Sequence, residues 1–223
     1  MKLPKQAVAG IKKWFERPVP YDHIGKYMTK SDGTGTKVLD VGCGDRAPYS
    51  TYKYYPNVEY SGIDYRQVPG ISDMHAFYQY NIDGNDLADV PNNEYDVIIL
   101  SHIIEHVHNG TKLLATLAQK LKSGGIIYIE TPSERSLHLP HYYGTLNFYD
   151  DTTHTRVYSL AEMNEVLKQN GCKILKSRIR HNFKKIIFLP LYAIFMLARD
   201  KKISATLFWD VLGFAHFVVA QKK

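Results

Sequence analysis

Cysteine is scarce, with 2 in 223 residues, and tryptophan is equally rare. Two cysteines exclude a disulfide framework. Cys43 lies in a glycine-rich turn and Cys172 opens an apolar run, so a reduced, cytoplasmic setting is expected. Long hydrophobic runs are missing too. The most apolar stretch, residues 186–198 with Pro190 inside it, falls short of the roughly 20 residues that cross a bilayer. The N-terminus carries Pro4 and lacks an apolar run before a small-residue cleavage site, so no signal peptide is expected. General disorder is excluded by an apolar content of 44%.

Charge is present but unevenly spread. Residues 31–172 hold 10 Lys/Arg against 18 Asp/Glu, whereas the rest of the chain holds 18 against 4. The middle is acidic and both ends are basic. Basic ends attract polyanions such as an anionic bilayer face, nucleic acid or a phosphorylated substrate, or they simply stay solvated.

Short runs rich in Val, Ile and Tyr recur at 37–41, 58–63, 76–80, 95–100 and 125–130, separated by helix-sized gaps. That pattern predicts the parallel strands of an α/β sheet. Leu113, Leu114, Leu117 and Leu121 share one helical face, with Ser123-Gly124-Gly125 as the stop. Ser159-Leu160-Ala161-Glu162 reads as a capping box opening a helix that ends near Asn170-Gly171. Residues 172–180 and 215–222 complete seven strands. The whole chain, 1–223, is expected to form a single domain with a helical lead-in over 1–30.

The first strand ends in Asp40 and runs into Gly42-Cys43-Gly44, a turn whose glycines let backbone approach a ligand at the sheet's carboxyl edge. A Gly-x-Gly alone also fits a dinucleotide site. Asp40 and Asp45 argue against that reading, because both would put negative charge beside a pyrophosphate.

In Val38-Leu39-Asp40-Val41-Gly42-Cys43-Gly44 the chain resembles the first motif of the class I S-adenosylmethionine (SAM) dependent methyltransferases, of the type 11/23 kind. Tyr60-Ser61-Gly62-Ile63-Asp64, Asn81-Ile82-Asp83, Tyr95–Ser101 and Leu121-Lys122-Ser123-Gly124-Gly125 follow in the family's order. The resemblance covers roughly residues 37–175 and implies a Rossmann-like α/β fold. Its seven-stranded, mostly parallel sheet has the order 3-2-1-4-5-7-6, an antiparallel last strand and helices on both faces. It also implies SAM as cofactor. Asp40, Gly42, Cys43 and Gly44 would hold the methionine end. Asp64, with Tyr65 beside it, would take the ribose hydroxyls, and Asn81, Ile82 and Asp83 the adenine. Ser101 and His102 would close the cofactor site. Residues 186–214 depart from the family, which has a short hairpin there, and read as an apolar helical insertion between strands 6 and 7.

Two clusters fall where methyl transfer is expected. His102-Ile103-Ile104-Glu105-His106 has the spacing of a zinc peptidase motif, which would need a longer helix around it and a third ligand downstream, but here it follows a strand directly. The resembled family carries Glu-His here without zinc, so no metal is assigned, and an ion assisting methyl transfer stays open. Asp150-Asp151-Thr152-Thr153-His154-Thr155-Arg156 resembles methyltransferases of glycan and polysaccharide biosynthesis. His106 and His154 are the candidate catalytic bases, since imidazole titrates near neutrality. Tyr142, Tyr143 and Arg156 are candidate substrate contacts, with pairing of Arg156 to Asp150 or Asp151 the alternative.

The expected activity is therefore O-methyl transfer to a small-molecule, glycan or lipid-linked acceptor. Peripheral contact with the inner membrane face through 186–214 and a homodimer are expectations of the same reading. The alternatives are a nucleic-acid methyltransferase, disfavoured because no base-methylation motif or RNA-binding module is visible, and a SAM-binding protein without catalysis.

Overall fold

Runs of β-branched and aromatic residues pair into one sheet in the computed structural model, which describes residues 21–30, 34–69, 71–84, 86–142, 145–203 and 205–223. Residues 1–20 of the lead-in expected over 1–30, and Tyr143, lie outside the described residues. The strands are β1 (Lys37–Val41), β2 (Glu59–Asp64), β3 (Ala76–Gln79), β4 (Tyr95–Ser101), β5 (Leu121–Pro132), β6 (Cys172–Ile179) and β7 (Ala215–Lys222). Their order is β3-β2-β1-β4-β5-β7-β6. The first five run parallel, and β7 is antiparallel to both β5 and β6. This is the topology that the sequence motifs imply.

Helices α1 (Tyr21–Ile24), α2 (Ala47–Tyr54), α3 (Gly110–Lys120) and α4 (Leu160–Gln169) flank the sheet, and α5 (Phe183–Ile187), α6 (Leu189–Asp200) and α7 (Ala205–Leu212) form the insertion. Successive strand residues point to opposite faces, so β1 feeds two cores. Leu39 and Val41 pack with Leu113, Leu114 and Leu117 of α3 and with Met163 and Leu167 of α4. Val38 packs on the other side with Ile24, Met28, Tyr60 and Ile99. Burial on both faces explains why the strands read as continuous apolar runs rather than as alternating ones. The chain leaves β1 toward β2 on one side and returns beside β1 as β4 on the other, which opens the crevice where such sheets bind ligands.

Two local expectations need correction. The leucine-rich helix stops at Lys120, not in the Ser-Gly-Gly turn, and Leu121 already pairs with Tyr95 as the first residue of β5. The cause is tertiary: Lys120 Nζ donates to the carbonyls of Leu87 and Val90, at 3.0 and 2.7 Å, and fixes the helix end. Gly124, with φ of +81°, then serves an irregularity within β5. At α4 only half of the capping box forms. Ser159 accepts from the Glu162 backbone N–H at 3.1 Å, but the Glu162 carboxylate turns to Arg156 at 2.6 Å. Pro190 falls at the break between α5 and α6. It occupies the first turn of α6, where its missing N–H costs nothing.

Candidate functional site

The turn after β1 is fastened to the neighbouring strand. Gly42 and Cys43 donate to the Ile63 carbonyl at 2.8 and 3.1 Å, and Gly44 N donates to Asp64 Oδ2 at 3.0 Å. Gly42 and Gly44 take φ of +74° and +54°, which disfavours any side chain. Their surroundings differ. A Cβ on Gly42 would sit 2.0 Å from Ile103 Cδ1, whereas one on Gly44 would meet nothing within 4 Å. Gly44 therefore faces open space, as a cradle for a ligand requires.

Asp64 ends β2 with 6% exposure and accepts one backbone N–H on each carboxylate oxygen, from Gly44 and from Arg66. Each oxygen keeps acceptor capacity for a pair of adjacent hydroxyls. Asp40 is equally buried; Tyr60 Oη donates to it at 2.8 Å. Burial pushes its carboxyl up to about 7, against the Tyr60 hydrogen bond and with help from Asp64. Burial, together with Asp40 and Asp64, likewise pushes the Cys43 thiol up to about 12, so it is a packing group and not a nucleophile. This donor set fits the methionine and ribose ends of SAM. Tyr65 stands exposed beside it at 66%. Farther along the edge, Asn81 is exposed, Ile82 packs on the core, and Asp83 binds His108 through backbone N–H and ring.

At the end of β4 the charged groups are buried or half-buried and lie close together. Past Ser101, His102 adopts φ of +55°, rare for a residue with a side chain. Its ring lies 2.9 Å from Glu130 Oε1 and 3.3 Å from Glu105 Oε1. Burial alone would lower its pKa, but the Glu105 and Glu130 carboxylates beside it outweigh that and hold it up at about 9. Glu130 in turn accepts from Tyr128 and Arg180, and Arg180 Nε meets Asp210 of α7 at 2.9 Å. Burial would raise Glu130, yet the Arg180 guanidinium and His102 hold it at about 2. Trp209 of α7 lies over His102, with ring centres 5.1 Å apart.

The two histidine clusters are brought together. Thr155 donates through both N and Oγ1 to the Glu105 carbonyl, at 2.7 and 2.8 Å, and Tyr158 Oη donates to the Val107 carbonyl at 2.6 Å. These bonds clamp the 150–158 loop onto the turn after β4. His106 and His154 end with ring centres 4.8 Å apart. His154 Nδ1 faces the Phe148 carbonyl at 2.6 Å, so it carries the proton and leaves Nε2 with a lone pair.

The substrate candidates are distributed differently. Arg156 pairs with Glu162, not with Asp150 or Asp151, and stacks on Tyr158 at 3.9 Å. Asp150 is committed to the Leu146 and Asn147 backbone as part of a capping box, a role absent from the sequence reading. Tyr142 donates to the Ile203 carbonyl at 3.2 Å and lies edge-on to Phe208, so it joins the insertion to the loop before it. Trp209 Nε1 adds a bond to the Thr145 carbonyl at 2.7 Å. Glu130, Arg180 and Trp209 escaped sequence reasoning because each sits in an ordinary strand or helix context. Glu105 had a signal, its place in His102-x-x-Glu105-His106.

Residues 14–177 match the family described as "Methyltransferase domain". The ubiquinone biosynthesis O-methyltransferase of Aeromonas salmonicida is 29% identical over 122 residues, covering 51% of this chain and 50% of that protein. This chain spans half or less of the length of the curated relatives it matches. Among solved structures, a SAM dependent methyltransferase from Archaeoglobus fulgidus aligns with a TM-score of 0.55 and 20% identity, covering 96% of this chain and 99% of that one. A [4+2]-cyclase, SpnF, aligns with a TM-score of 0.53 and 19% identity over 85% of this chain and 76% of that one. Such distant likenesses establish the fold, and the cyclase illustrates that one fold hosts several chemistries.

Proposed function

The chain belongs to the SAM-dependent methyltransferases of that domain family, and from this premise we propose that it methylates a hydroxyl oxygen at the edge formed by His106 and His154. The observation that carries the reading is the pairing of those two imidazoles beside the β1–β4 crevice. SAM supplies a methyl group on a positively charged sulfur, which leaves as a neutral thioether. Gly42 and Gly44 shape the turn against which the methionine end lies, and Asp64 accepts from the ribose hydroxyls. The chain's remaining task is to align the acceptor and draw charge from its O–H. Nε2 of His154 is the lone pair available for that. The relative's printed O-methyl transfer, and the resemblance of 150–156 to methyltransferases of glycan biosynthesis, support oxygen as the nucleophile. Adenine contacts by Asn81, Ile82 and Asp83 and closure by Ser101 and His102 belong to the same reading. So does substrate contact by Arg156, Tyr142 and Tyr143.

The test is a methyl-transfer assay on the purified chain with hydroxylated small molecules and lipid-linked sugars as acceptors. His154→Ala and His106→Ala should each lower turnover by about 10²-fold while SAM affinity changes little. Full turnover in both variants would overturn the assignment of the pair. Tight SAM binding with no transfer to any acceptor would favour a non-catalytic SAM-binding protein.

The acceptor's location has its own support. Phe183, Ile187, Leu191 and Ile194 are exposed by 69, 70, 65 and 63% and follow one another at helical spacing across α5 and α6. An apolar stripe of this kind, with Lys184, Lys185, Arg199, Lys201 and Lys202 around it in sequence, matches an anionic bilayer face. No helix among the described residues is long and apolar enough to cross a membrane. The proposed contact is therefore peripheral. Phosphatidylglycerol vesicles should sediment the chain, and Leu191→Asp with Ile194→Asp should abolish this; unchanged sedimentation of that variant would reject the membrane contact.

A further inference from the structure

Glu105, His106 and His154 each place one ligand atom within 4.8 Å of the others. Proximity alone makes no site, but the hydrogen bonds around the three groups set their donor atoms. Asp151 Oδ1 accepts from Thr153 Oγ1 at 2.6 Å, and that hydroxyl also contacts His106 Nδ1 at 2.9 Å. A hydroxyl has one proton, and the carboxylate can only accept. The Thr153 proton therefore goes to Asp151, and His106 Nδ1–H donates to Thr153. His154 Nδ1–H is fixed in the same way by the Phe148 carbonyl. Both rings are thus held in the tautomer that leaves Nε2 as an acceptor, with the outer nitrogen oriented by a carbonyl or a hydroxyl–carboxylate chain. Histidines that bind metals are held in this manner.

The third group supplies an independent observation. Glu105 is fully buried, with 0% exposure. Its Oε2 accepts from Thr131 Oγ1 at 2.9 Å, whereas its Oε1 has no hydrogen-bond partner. His102 Nδ1 is 3.3 Å from that oxygen, within ion-pair reach but outside hydrogen-bond geometry, and His102 is shared with Glu130. A buried carboxylate oxygen with no hydrogen bond, and with only a share in the His102 cation, keeps capacity to bind a further cation. Asp151 Oδ2 faces the same place, 3.9 Å from His154 Nε2.

We propose that Glu105, His106 and His154 form a binding site for a divalent transition-metal ion at the methyl-transfer edge. Two imidazole nitrogens and one carboxylate suit Zn2+, Mn2+ or Fe2+, while Mg2+ and Ca2+ prefer all-oxygen shells. Three protein ligands would leave further coordination positions open on the ion. An acceptor hydroxyl bound there would be polarised and would release its proton to water at the Asp151 mouth. The binding stands on the geometry alone. Only this role rests on the proposed activity: with the Nε2 lone pairs on the ion, it is the ion, in place of a free His154 base, that draws charge from the hydroxyl.

The experiment is isothermal titration of the metal-stripped full chain with ZnCl2 and MnCl2, backed by the visible absorption spectrum of the Co2+-loaded chain. One equivalent should bind. His106→Ala and His154→Ala should each weaken binding by roughly 100-fold and remove the Co2+ bands, while His75→Ala, on the β3 side, should change neither. Glu105→Gln disturbs a fully buried charge beside His102 and Thr131, so the two histidine variants, checked for native circular dichroism, carry the test. Absence of binding, or binding that survives both histidine variants, overturns the proposal. Full methyl transfer by the stripped chain that still collapses in His154→Ala overturns the ion's role and leaves the activity standing. One equivalent bound without methyl transfer to any acceptor keeps the site and removes the activity.

Discussion

On the β1–β2 side of the carboxyl edge, backbone makes the ligand-facing surface: two glycines at positive φ and a carboxylate held by two amide N–H groups. On the β4–β5 side, side chains make it. His102, Glu130, Arg180 and Asp210 form a buried charged chain from the strand ends to α7, and a second set of bonds clamps His154 over His106. The first construction tolerates little chemical variation because glycine has no substitute at those angles. The second depends on every partner being present, since a buried charge that loses its partner is left uncompensated. One side is thus fixed by conformation and the other by charge.

The comparison breaks most visibly at Arg180. Arg180→Met should destabilise the chain by about 3–5 kcal/mol at neutral pH, because Glu130 and Asp210 lose their shared cation. Urea unfolding followed across pH measures this and the wild type's own pH profile. His102 is held at about 9, above its ordinary 6.5, so its contribution is complete below about pH 6.5 and is lost as pH rises through about 9. Glu130 is held at about 2, below its ordinary 4.5, so its contribution is present above about pH 4.5 and is lost as pH falls toward 2. Between pH 6.5 and 9 the wild type should lose on the order of 2 kcal/mol. A flat alkaline limb, or an Arg180→Met variant of unchanged stability, would place little energy in the chain of charges.

A smaller effect sharpens the other side. Gly44→Ala should cost about 1–2 kcal/mol of stability from its left-handed backbone, since its Cβ meets no protein atom. SAM affinity, measured by calorimetry, should fall by about tenfold or more, because the methyl group fills the space that the cofactor needs. Unchanged affinity would mean that the cofactor does not approach Gly44.

Much of the β1–β2 side was legible in sequence because its parts are contiguous. Asp40, Gly42 and Gly44 lie within one turn, and Asp64 ends the next strand, so spacing alone brought them into register. The acceptor side was only half legible. His102-x-x-Glu105-His106 was visible as a motif, yet Thr153 and His106, in contact at 2.9 Å, stand 47 positions apart. Arg156 was paired in sequence reasoning with its acidic neighbours, whereas the start of α4 turned Glu162 toward it. The leucine helix was drawn too long because the groups that stop Lys120 come from residues 87 and 90.

By itself, then, the sequence determined the strand pattern, the order of the motifs and the glycine turn after β1. These follow from local rules: apolar periodicity, glycine's freedom at positive φ and the order in which strands leave the chain. Tertiary structure alone decided which face of the insertion is covered, which acids share Arg180, and that Glu105, His106 and His154 converge. Those outcomes depend on hydrogen bonds between loops distant in sequence, where no local period or spacing carries the information.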